Sequence, residues 1–139
     1  KKLERIAGVG PVTAAVFALA VGDPKRFPNL RAIGAYFGLV PRRDQSGEVD
    51  KRLGITKAGD PLVRRLLTQC AQRYLMSTAK DCDLKRFGMR LLNAGATNRK
   101  RVVSAVARKL AVQMLRVLKT GEAHDPNFQL TRRAMATDA

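Results

Sequence analysis

Apolar residues recur along the chain at helical spacing, and the breaks between the runs carry helix-ending and helix-starting residues. A short first helix is expected to end near Ile6, followed by the turn Ala7-Gly8-Val9-Gly10. A second helix runs from Pro11 to about Val21 and is closed by Gly22. Asp23-Pro24 starts a short helical turn. Asn29 caps a helix over Leu30 to Phe37, in which Gly34 weakens the helix by about 1 kcal/mol. Asp60 as cap and Pro61 as first residue open a long helix to about Lys80, with Leu62, Leu66, Leu67, Cys70 and Tyr74 as its apolar stripe. Asp83 caps a helix to about Asn93. Thr97 or Asn98 caps the last long helix, with Val102, Val103, Val106, Leu110, Met114 and Leu118 facing inward and Gly121 stopping it.

Between Leu39 and Thr56 the helical period fails. The polar run Arg42 to Glu48 lies between two short apolar segments, so the stretch around residues 40–56 is expected to be an irregular loop or a small hairpin. The fold class is therefore mainly α: a helical domain over residues 1–121 with a helix-hairpin-helix at about 3–21. Residues 122–139, with Pro126 and little periodicity, are expected to form an extended or mobile tail.

Charge changes this picture from a fold to a partner. Against 27 Lys and Arg stand 11 Asp and Glu, a net charge of +16, which points to a polyanion, with nucleic acid the natural choice. Two basic clusters stand out. One (Arg42, Arg43, Lys51, Arg52, Lys57, Arg64, Arg65) centres on the irregular stretch; the other (Arg99 to Arg101, Arg108, Lys109, Arg116, Lys119) lies on the last helix. Each reads either as a solvated surface or as a track for phosphates. No apolar run reaches the ~18 residues of a membrane span. Two cysteines and one histidine form neither a disulfide framework nor a zinc set, so no metal site is expected in this domain, and a reducing cytoplasmic setting fits.

Three local features bear chemistry. Gly8 and Gly10 in Leu3-x-x-Ile6-x-Gly8-Val9-Gly10 allow a turn whose amides, with the helix start at Pro11 and the hydroxyl of Thr13, could hold a phosphate; an ordinary helix-helix turn is the plainer alternative. Ser46-Gly47 is the candidate nucleophile in an electropositive setting, although a Ser-Gly pair by itself is most simply a turn. The cations beside it could stabilise a phosphoryl transition state. His124 and Cys70 are most simply a surface and a core residue.

Several separate motifs, Ile6-Ala-Gly-Val-Gly-Pro-Val-Thr-Ala14, Gly22-Asp-Pro-Lys-Arg-Phe27, Ala35-Tyr-Phe-Gly-Leu-Val-Pro-Arg42, Ser46-Gly47, Gly54-Ile-Thr-Lys-Ala-Gly59 and Ala107-Arg-Lys-Leu110 with Leu118-Lys-Thr-Gly121, stand in register over about residues 3–126. Together they resemble the C-terminal transposase domain of the insertion-sequence 110/116/902 family. The resemblance implies a DNA transposase or recombinase of bacterial or archaeal cytoplasm, associated with the nucleoid. A separate N-terminal ribonuclease-H-like domain would carry the acidic DEDD set and magnesium, and a bridge RNA would act as guide. The resemblance places the catalytic serine at Ser46, in Gln45-Ser46-Gly47-Glu48 where the family often has Ser-Ser-Gly-Gly. Its nucleic-acid contacts are expected from Gly8, Gly10, Thr13, Arg42, Arg43, Arg52, Lys57, Arg64, Arg108 and Lys109. The domain by itself is expected to be inactive, and a homo-oligomer is expected on DNA. The alternative is a non-enzymatic helix-hairpin-helix module that binds DNA or RNA.

Overall fold

The computed structural model describes residues 2–46, 49–95 and 98–137. Among the described residues six helices and one hairpin follow in the order α1 (Pro11–Val21), α2 (Ala32–Tyr36), β1 (Pro41–Ser46), β2 (Val49–Ile55), α3 (Pro61–Tyr74), α4 (Asp83–Asn93), α5 (Arg99–Thr120) and α6 (Phe128–Thr137). Single 3-10 turns at Leu3–Arg5 and Pro24–Arg26 precede α1 and α2. The first arm of the expected helix-hairpin-helix is thus one 3-10 turn among the described residues.

The start signals act as their chemistry demands. The side chains of Asp60 and Asn98 accept from the amides of Leu62 and Lys100, and Gly121 ends α5 in the left-handed conformation. Helix α5 is the axis of the domain. It packs against α2, α3 and α4, which bury Val102, Val106, Leu110, Met114 and others along its 22 residues. On α3 the buried stripe is Val63, Leu67, Cys70, Ala71 and Tyr74, so it is rotated from the expected one and leaves Leu62 exposed. Helix α3 also stops at Tyr74 rather than near Lys80. The chain leaves the helix to bury Leu75 against α4 at Gly88, where an ideal Cβ would come within 2.4 Å of Leu75 Cδ2.

The stretch between α2 and α3 is an antiparallel hairpin. Its register pairs Pro41 with Ile55, Arg43 with Arg52, Asp44 with Lys51 and Ser46 with Val49, with an irregularity between Pro41 and Arg43. Pairing continues below it, where Thr56 N–H donates to Val40 O at 3.0 Å and Lys57 N–H to Gly38 O at 3.1 Å. Backbones close in tightly at this root. An ideal Cβ on Gly38 would lie 2.3 Å from the Ala58 nitrogen, and one on Gly59 would lie 2.3 Å from Tyr36 O. The ribbon is thereby fixed to the buried Leu39 and Phe37 of the helical body.

The expected extended tail is corrected by α6. Its approach is held by α4: Asp83 N–H donates to Pro126 O at 2.8 Å, the Asp83 carboxylate accepts from Gln129 N–H at 2.9 Å, and Arg86 reaches Asn127 Oδ1 at 3.1 Å. The Arg116 guanidinium lies 5.2 Å from the Phe128 ring centroid. Long-range contacts to α4 and α5 supply what the weak local periodicity of 122–139 does not show.

Candidate nucleic-acid interface

The sequence places two basic clusters more than thirty positions apart, and the fold joins part of each. A groove of about 980 Å³ opens between the hairpin root, α3 and the start of α5. Lys57 comes from the hairpin side, and Arg99, Lys100, Arg101 and Arg108 from α5; no carboxylate is among the described residues that line it. Arg108 is set there by α2, since its aliphatic stem covers Gly34, where an ideal Cβ would come within 2.8 Å of Arg108 Cγ. Thr68 and Gln72, one turn apart on α3, add uncharged polar groups to the lining, with Asn98 and Ser104 from the start of α5. Sequence reasoning did not select Thr68 and Gln72, because nothing local distinguishes them from other exposed polar positions of a helix. Arg99 to Arg101 were legible only as members of a charged run.

Lys57 alone among the described non-glycine residues has a positive φ, 57°. Its amide is tied to Gly38 O, so the backbone pairing of the root enforces this conformation on the groove rim. The remaining candidates of the hairpin, Arg42, Arg43 and Arg52, stand on the paired strands, with Arg43 and Arg52 at directly opposed positions. Ser46 is the last residue of β1, about five residues or ~17 Å along the strand from Pro41. Gly47 and Glu48 lie outside the described residues.

Other candidates are separated from this groove. Arg64 Nη1 donates to Ala58 O at 3.0 Å and Phe37 O at 3.4 Å, so its guanidinium fastens the hairpin root to α2. Lys109 points instead to α4, its ammonium 4.0 Å from the Phe87 ring centroid. Burial and then the Arg90 charge push its pKa down. Further along α5, Lys119 Nζ donates to Phe27 O at 2.6 Å.

The glycine turn lies against another side of α3. Tyr74 donates to Ala7 O, and the Cys70 thiol donates to Gly8 O at 3.2 Å. On a helix these two residues are about 200° from Thr68 and Gln72, so the turn and the groove occupy opposite sides of α3. Gly8 has φ 84°, whereas Gly10 has φ −86° and open space around its Cα. Thr13 is buried, 8% exposed, so its hydroxyl is set back from the surface of the turn. Burial pushes the Cys70 thiol up, so it is a core group and not a reactive one.

Among the described residues no three His, Cys, Asp or Glu side chains come together as a metal site. No described helix is long and apolar enough to cross a membrane.

A family model described as the Transposase IS116/IS110/IS902 family matches residues 1–87. The chain is 43% identical over 75 residues to the transposase for insertion sequence element IS1328 of Yersinia enterocolitica, covering 54% of the chain and 22% of that protein. It is 35% identical over 92 residues to the transposase for insertion sequence element IS1111A of Coxiella burnetii, covering 66% of the chain and 25% of that protein. A pilin gene-inverting protein of Moraxella bovis is 28% identical over 124 residues, covering 88% of the chain and 38% of that protein. The chain therefore spans well under half the length of these relatives.

Proposed function

Since the chain belongs to the IS116/IS110/IS902 transposase family, we propose that it is the serine-bearing, nucleic-acid-binding part of an enzyme that cuts and rejoins DNA. The observation that carries this reading is the hairpin. It sets Ser46 at the far end of a ribbon whose root opens on a cation-rimmed groove without a carboxylate in its described lining. A strand held in the groove by its phosphates and running along the ribbon reaches Ser46 within a few nucleotides.

In the reaction proposed, the Ser46 hydroxyl attacks a DNA phosphorus and loses its proton. A phosphorus–serine ester forms as the bond to one deoxyribose oxygen breaks, and the departing oxygen takes up a proton. Attack on the ester by a strand end reverses the step and rejoins the DNA. Negative charge grows on the phosphoryl oxygens as the ester forms, and cations fixed nearby stabilise it. Arg43 and Arg52, at paired positions of the two strands, are proposed for this role.

A DEDD-bearing acidic domain, as the family resemblance implies, is proposed to hold magnesium and supply further charge neutralisation. A bridge RNA and a homo-oligomer complete the proposed assembly, in the cytoplasm. The test is the complete protein with magnesium, guide RNA and DNA. Ser46→Ala is expected to abolish the covalent protein–DNA product while leaving DNA affinity within about twofold, since a neutral hydroxyl adds little beside the cations. A product formed equally by the alanine variant contradicts the assignment. The non-enzymatic alternative predicts no covalent product from either protein.

A further inference from the structure

Resting on the nucleic-acid reading above, we infer that the groove between the hairpin root and α5 takes a single strand of nucleic acid with its bases turned inward, and not the outside of a duplex. The groove has two chemistries at two depths. Its charged groups, Lys57, Arg99, Lys100 and Arg101, are exposed, which suits the rim. Its less exposed lining is largely aliphatic, with Ile55 and Ala105 partly exposed over the buried Leu39 and Val103; Ser104 adds a half-buried hydroxyl, and Gln72 an amide at the exposed edge.

A duplex offers only its phosphates to such a surface. It would satisfy the rim and leave the apolar part of the groove in contact with water. An unpaired nucleotide matches both parts, with phosphate at the cations and base edge and face against side chains that are apolar with a few polar groups. At about 980 Å³ the groove is at the upper end of the ~300–1,000 Å³ that small-ligand sites span, so more than one linked nucleotide fits. No aromatic side chain is among the described lining residues. Bases would pack on aliphatic groups rather than stack on rings, which predicts weak dependence on base identity and modest affinity per nucleotide. DNA and RNA share this chemistry.

The test is fluorescence anisotropy with labelled twelve-nucleotide oligomers of one sequence as single-stranded DNA, as single-stranded RNA and as DNA duplex, at one fixed salt concentration. Single strands are expected to bind about tenfold tighter than duplex, a difference of about 1.4 kcal/mol. Ser104→Leu, which fills the groove and leaves the cations in place, is expected to remove that preference while duplex affinity stays within twofold. Gln72→Glu, at an exposed position of α3, places a negative charge among the bases and is expected to act likewise without disturbing the fold. Preference for RNA or for DNA among the single strands identifies which of them the groove serves. Duplex bound as tightly as single strand, or both groove variants leaving the preference intact, overturns the inference and leaves the transposase reading standing. Failure to bind any of the three oligomers overturns both.

Discussion

Lys57 holds a left-handed backbone on the rim of the groove, a conformation that costs a residue with a Cβ roughly 1–2 kcal/mol. Glycine would adopt it without that cost, so a lysine here is explained by its charge. Lys57→Gly is expected to leave the unfolding free energy within about 1 kcal/mol, because relief of strain is offset by the greater freedom of an unfolded glycine. The same variant should weaken nucleic-acid binding and reduce the slope of log affinity against log salt by about 0.7–0.9. Denaturant titration and binding at several salt concentrations check the pair; unchanged binding would make Lys57 a turn residue only. Gly8 and Gly10 divide in a comparable way. Gly8 needs its positive φ, while a side chain at Gly10 meets nothing within 4 Å. Gly8→Val is expected to lower stability by about 1–2 kcal/mol, and Gly10→Val to leave it nearly unchanged. If the turn holds a phosphate, Gly10→Val reduces affinity alone, which circular dichroism melting with parallel binding assays resolves.

At the level of elements, the sequence disclosed what local chemistry controls and hid what contacts control. The caps Asp60 and Asn98, the Pro11 start and the Gly121 stop are local, and the helices they delimit were legible to within a residue or two at those ends. The hairpin was legible only as an irregular stretch. Strand β1 has no alternating apolar set, and in β2 the alternation of Val49, Leu53 and Ile55 is interrupted by Lys51. The end of α3 depends on Leu75 finding Gly88, a contact thirteen residues away that no spacing encodes. The groove was half legible: its cations appear as runs, but their meeting across the root depends on the Gly38 and Gly59 backbone contacts. Helix α6 was missed because Asp83 reads as a helix cap, whereas Cys82 holds the cap position and the Asp83 carboxylate, inside the first turn of α4, is shared between Arg86 at 2.5 Å and the Gln129 amide. Asp83→Ala is expected to cost about 1–3 kcal/mol. Hydrogen exchange should then rise over residues 128–137 before it rises in α5; uniform protection would show that α6 is held by something else.

Across the whole molecule, the positive charge is sorted by use. Arg64, Arg86 and Lys119 bind carbonyls or carboxylates within the fold, while Lys57, Arg99, Lys100 and Arg101 line the groove with no acid in its described lining. Stability and binding should therefore respond differently to pH. Burial pushes the His124 imidazole below its ordinary value, against the pull of the Asp125 and Asp83 carboxylates. In this window the unfolded chain binds the proton more readily than the folded one. The contribution is present above the unfolded value of about 6.5 and is lost as pH falls through the lower folded value. The melting temperature is expected to drop on acidification through that range, and His124→Gln should remove this component. An identical pH profile in the variant would contradict it. Groove affinity, which rests on Arg and Lys, should change little over the same interval.

The residue that becomes joined to DNA can be identified directly. The complete protein, turned over with magnesium, guide RNA and DNA and then stripped of nucleic acid by nuclease, would be digested and its peptides sequenced by mass spectrometry. A nucleotide mass is expected on the peptide that contains Ser46, borne by the Ser46 oxygen. A nucleotide on any other residue, or strand exchange that proceeds with no protein–DNA ester, would contradict the Ser46 assignment.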